Sequence, residues 1–83
     1  MNIERVQTGI RIEKRLLKVL KGLAEHLDLS LGDLLEGVVL HAFEGKPPFG
    51  AETLKVVSQL KAVYGVDYDA SHSHRLVERG EGA

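Results

Sequence analysis

Residues 6–12, VQTGIRI, alternate apolar or small residues with polar ones for seven positions, and no second run of that kind follows. Alternation with period two marks a strand with one covered face. A lone strand leaves both edges unpaired and is not stable by itself. The feature therefore constrains the fold: the pairing partner has to come from outside the chain. A second copy is the cheapest source, because two identical strands pair antiparallel across a two-fold axis. Val6, Thr8, Ile10 and Ile12 would then face the helices, and Arg5, Gln7, Gly9 and Arg11 would face away.

Everything after the run reads as helix. Leu16, Leu17, Leu20, Leu23, Ala24 and Leu27 recur at three- and four-residue spacing, which predicts a first helix from about 13 to 26. Ser30 is a good N-cap, and Asp33 three residues later suits a capping box. A second helix is predicted from Leu31 to about Glu44, burying Leu34, Leu35, Val38, Val39, Ala42 and Phe43. Gly45 and KPPFG then stop it. Leu54, Val57, Leu60 and Tyr64 share one face of a third predicted helix, about 51–64, which Gly65 ends. The polar remainder, with its glycine-rich end, is expected to be loosely ordered.

At 83 residues without a cysteine, the chain makes one small domain that no disulfide or thiolate metal site can staple. Partner chains are the remaining source of buried surface. Hydrophobic residues at 43% and charged ones at 28% are the proportions of a globular protein, not a disordered one. With no membrane-length apolar run and no signal peptide, a cytoplasmic protein is expected.

The net charge of −1 conceals a segregation. Residues 1–21 hold six basic residues (Arg5, Arg11, Lys14, Arg15, Lys18, Lys21) against two acids, and residues 22–45 hold five acids and no Lys or Arg. A basic front end suits an anionic partner such as nucleic acid. Lys14, Lys18 and Lys21, at i, i+4 and i+7, also fit a merely solvated helix face.

A two-stranded ribbon fits the major groove, where Arg pairs with guanine and Gln with adenine. The N-terminus of the second helix would offer free amides to a phosphate. The order of strand, helix, Ser-capped turn and helix over residues 5–45 resembles the ribbon-helix-helix family, the Arc/MetJ type of repressor. The resemblance implies a mainly α fold with one short N-terminal β-strand, an intertwined homodimer joined by an intermolecular antiparallel ribbon. Residues 1–45 would be the dimerisation and DNA-binding domain, and 46–83 a C-terminal extension. It also implies Gln7, Gly9 and Arg11 as base readers. Ser30, Leu31 and Gly32 would hold phosphate, with the basic residues Arg5, Lys14 and Arg15 nearby. Asp28 occupies the turn where the family favours glycine, and Asp tolerates left-handed backbone angles better than most residues.

Other chemistry finds less footing. His72 and His74 form a His-x-His pair beside Asp69, but spacing places no third metal ligand with them. No nucleophile sits with a base, and GKPPFG lacks phosphate-loop spacing, so neither an enzyme nor a cofactor is expected. The resulting expectation is a sequence-specific DNA-binding homodimer, a prokaryotic transcriptional regulator. The alternative is an antitoxin or protein-interaction module, with Leu54, Val57, Leu60 and Tyr64 binding a partner protein or, instead, covering the second helix.

Overall fold

The computed structural model describes residues 1–79. Three α-helices follow one another, α1 (Lys14–His26), α2 (Leu31–Phe43) and α3 (Ala51–Tyr64), with a short 3-10 turn at Ala70–His72. The helix bounds fall within a residue of those read from the sequence.

The expected strand does not form. No described residue lies in a strand, so the fold is a small all-α one, without the β-ribbon that the ribbon-helix-helix resemblance implies. The physical reason lies in the missing ladder: a strand exists by pairing, and the described residues contain no second strand to pair with. Residues 1–13 run as an arm without regular structure. The residues meant for its covered side are bare, Val6 being 80% and Ile10 72% exposed. Seven alternating residues satisfy the pattern of a strand and equally that of an extended arm.

Local chemistry explains each helix. Glu13 caps α1 by accepting from the Arg15 backbone N–H at 2.7 Å. Ser30 caps α2 by accepting from the Asp33 N–H at 3.1 Å. All three helices end with the same pair of backbone bonds around one residue of positive φ. That residue is Asp28 at 56°, then Gly45 and Gly65 at 69°. Across the first turn Leu29 N–H donates to Ala24 O (2.9 Å), across the second Lys46 to His41 (2.9 Å), and across the third Val66 to Lys61 (2.9 Å). This is the Schellman arrangement, which satisfies the last free carbonyls. Asp28 tolerates the left-handed angle where glycine would be the easier choice.

The core is small. Val19, Leu23, Ala24 and Leu34 are buried, and Leu20, Leu27, Val38, Phe49, Val56, Val57 and Leu60 pack against the Leu23–Ala24–Leu34 cluster. Helix α3 lies closely along α1: a Cβ added at Gly22 would meet Leu60 Cδ2 at 3.1 Å. The stripe Leu54, Val57, Leu60 and Tyr64 is thus partly used inside the chain. Val57 and Leu60 join the core while Leu54 stays half exposed. What α3 covers is α1, not the second helix.

Helix α2 departs most from expectation. Leu34 is buried and Val38 packs beneath it, but Val39, Leu40 and Phe43 are exposed, Phe43 at 82%. Its apolar residues encircle it, and one neighbouring helix covers one side only. Residues 65–68 fold back against the start of α1: Arg15 Nη1 donates to Gly65 O at 2.7 Å and reaches Asp67 at 3.2 Å. The Tyr68 hydroxyl donates to Glu13. The expectation of loose order covers residues 66–83; within it the structure places the 3-10 turn at Ala70–His72 and the Tyr68–Glu13 bond, and residues 80–83 lie outside the described residues.

Candidate nucleic-acid interface

The arm brings Gln7, Gly9 and Arg11 to the surface. All three are exposed, and nothing lies within 4 Å of where a Cβ on Gly9 would stand. Arg11 is ion-paired with Glu78 of the C-terminal segment. Arg5 crosses to α2 and grips Glu36 with both faces of its fork, Nε to Oε2 and Nη2 to Oε1 at 2.9 Å each. Asp33, one turn earlier, stands 3.7 Å from the same guanidinium. Hydrogen bonding from Arg5 holds the Glu36 carboxyl below its usual range.

The start of α2 is arranged less simply than its sequence suggests. Half of the capping box is present, Ser30 Oγ to the Asp33 N–H, while the Asp33 carboxylate turns towards Arg5. Ser30, Leu31 and Gly32 therefore sit behind a carboxylate, which opposes a phosphate through charge. Arg5 and this turn lie together, but Arg5 is already matched with acids.

Arg15 belongs to a structural cluster. Its guanidinium joins Glu13 and Asp67, donates to the Gly65 carbonyl and lies 5.7 Å from the centroid of the Tyr68 ring. Burial pushes the Glu13 carboxyl up, but the Arg15 backbone N–H, the Tyr68 hydroxyl and the Arg15 charge outweigh it and hold it low. Burial and the same carboxylate push the Tyr68 phenol up. Arg15 is committed to fastening the chain.

The lysines are different. Lys14, Lys18 and Lys21 are exposed on one face of α1, and among the described residues none has a carboxylate within ion-pair reach. Lys18 lies 5.8 Å from the centroid of the Tyr64 ring, a cation–π contact that leaves its charge outward. Tyr64 itself remains exposed, as does Leu54.

His72 and His74 do not converge. The Asp69 backbone N–H donates to His72 Nδ1 at 3.2 Å within the 3-10 turn, and His74 follows with φ 66°. Among the described residues no group of three His, Cys, Asp or Glu could hold a metal ion. Among them, too, no helix is long and apolar enough to cross a membrane.

Sequence reasoning missed Glu36 and Glu78 as partners of the arginines, and Tyr68 as an anchor. The spacing of Asp33 and Glu36 on one turn signals an acidic ridge, but pairings across 31 residues leave no local signature. No family model matches the chain, and neither a curated protein nor a solved structure matches it.

Proposed function

We propose that the chain is a cytoplasmic DNA-binding protein, a transcriptional regulator that works as a homodimer. The observation that carries the reading is the segregation of charge: Lys14, Lys18 and Lys21 share an exposed face of α1 with no ion-pair partner among the described residues, next to an exposed arm bearing Gln7 and Arg11. Such a lysine face suits phosphates, whose contacts supply most of the affinity and make it salt-dependent. An extended arm can follow a groove, where Gln7 and Arg11 have the donors to read base edges. The reading needs no ribbon.

Support for a second copy comes from surface area. The chain exposes 7193 Å², against about 4,900 Å² for a typical folded monomer of this mass. Part of the excess belongs to the arm, and the radius of gyration of 14.3 Å exceeds the roughly 12 Å of a closed globule for the same reason. Part belongs to α2, where Val39, Leu40 and Phe43 stand bare. A helix apolar all round belongs inside an assembly.

That same face favours the second reading, a protein-interaction module or antitoxin whose partner covers α2. Fluorescence anisotropy separates the two, using the gene's upstream duplex and a scrambled duplex over a salt series. Binding that weakens when Lys14, Lys18 and Lys21 are changed to Gln supports the DNA reading. Failure to bind either duplex at low salt removes it and leaves the interaction module.

A further inference from the structure

We propose that the chain carries an intramolecular acidic latch, in which Glu36 with Asp33 and, from the far end, Glu78 occupy the Arg5 and Arg11 guanidiniums that DNA would otherwise use. The inference rests on the DNA-binding reading and adds its regulation.

The geometry of the Arg5 pair carries the argument. Two parallel N–H···O bonds of 2.9 Å join its fork to both oxygens of Glu36. A guanidinium meets a phosphate in that same bidentate way, so the carboxylate fills the place of a phosphate. The pair joins residues 31 apart, reaching from an arm without regular structure to a helix. Ile3 of the arm lines a shallow apolar groove with Leu35, Val39 and Leu40 of α2 beside Glu36. The second pair, Arg11 with Glu78, joins the arm to the other end of the chain.

The division among the basic residues is systematic. The arginines of the arm are engaged by carboxylates, whereas Lys14, Lys18 and Lys21 of α1 have no ion-pair partner among the described residues. A polyanion touched by the lysines alone leaves the latch closed. Contact by the arm requires exchanging each carboxylate for DNA, which costs affinity and removes counterion release from the arginines. The latch groups are half exposed, Arg5 at 60% and Glu36 at 47%, so the exchange is a matter of a few-fold and remains reversible.

The test uses full-length protein and a short fluorescein-labelled duplex, titrated over a salt series. Glu36→Gln and Glu78→Gln should each tighten binding by about twofold to fivefold, and freeing an arginine should steepen the salt dependence by about one unit of log–log slope. Glu25→Gln, which removes an exposed acid of α1 with no ion-pair partner among the described residues, controls for simple loss of negative charge. A double-mutant cycle then isolates the latch: in an Arg5→Gln background, Glu36→Gln should give no further gain. Persistence of the full gain in that background, or an equal gain from Glu25→Gln, makes the effect general repulsion and overturns the latch while leaving DNA binding intact. A gain in Glu36→Gln/Glu78→Gln over wild type that combines the two single gains supports the latch. Silence of both proteins at low salt overturns the DNA reading, and the latch with it.

Discussion

The Tyr68 hydroxyl donates a 2.9 Å hydrogen bond to the Glu13 carboxylate across 55 positions of sequence. It fastens the segment after α3 to the residue that caps α1. Glu13 accepts from the Arg15 backbone at the same time, so one carboxylate starts a helix and closes the fold. Tyr68→Phe keeps the ring on Arg15 and deletes only the donor. A loss of about 1 kcal/mol in urea unfolding is expected. No change in midpoint would mean that the ring alone holds the segment.

Acid should loosen the molecule once pH falls below the ordinary carboxylate value of about 4. Glu13, Glu36 and Asp69 are all held low, Glu36 by hydrogen bonding from Arg5 and Asp69 by the Ser71 hydroxyl and backbone. A carboxyl with a lowered folded-state pKa binds fewer protons folded than unfolded. Its contribution is complete above the unfolded value, about 4, and is lost as pH falls through the folded one. Thermal melts should be flat through neutrality and drop only under acid conditions. Tyr68 has the opposite sign: its raised value favours the folded state below about pH 10, and that contribution disappears as pH rises through the folded-state value. Alkaline melts of Tyr68→Phe should lack this decline.

Gly22 sets the distance between α1 and α3. An added Cβ would stand 3.1 Å from Leu60 Cδ2, close enough to require a shift of a few tenths of an ångström. Gly22→Ala gains up to about 1 kcal/mol of helix propensity against that contact, so its net effect should be small. Gly22→Leu has no room and should cost about 1–3 kcal/mol by overpacking. Denaturant midpoints of the two variants, compared with wild type, check the ordering.

The two faces of α2 should respond differently. Leu34→Ala removes a buried side chain and should cost about 2–5 kcal/mol at any protein concentration. Phe43→Ser changes an exposed one and should move monomer stability by no more than about 0.5 kcal/mol. In sedimentation equilibrium, however, Phe43→Ser should shift the chain from dimer to monomer. A wild type that sediments as a monomer at all concentrations would reject the second copy.

Much of the helical scaffold was legible because its signals are local. Ser30, Gly45 and Gly65 act within a turn of themselves, and each ends or begins a helix where the spacing places it. The arm was misread because Val6, Thr8 and Ile10 alternate in the same way whether or not another strand lies alongside. Alternation describes which way side chains point; only a neighbour decides whether hydrogen bonds form. The outer face of α2 was misread for a related reason. Val39 and Phe43 look like core residues to any count of hydrophobicity, and a chain with one neighbour for α2 cannot cover both of its sides. At the candidate interface the basic residues were readable and their acidic partners were not. Arg5 and Glu36 meet only because the arm crosses α2, and Arg15 looked free until Gly65 and Asp67 folded back upon it.

Helix α1 is held along its length by α3, at Gly22 against Leu60, and at its cap by the segment after α3, through the Glu13–Tyr68 bond, whereas α2 is fastened chiefly by Leu34 and Val38. Amide hydrogen exchange should therefore divide the molecule into two cooperative units. The packed α1–α3 pair would open only with global unfolding, and α2 would open earlier. Anything that binds the exposed side of α2 binds the closed form alone, so occupancy of that side raises its protection by mass action. The order of this helix is thus a concentration-dependent quantity, and its exchange rate becomes a gauge of assembly.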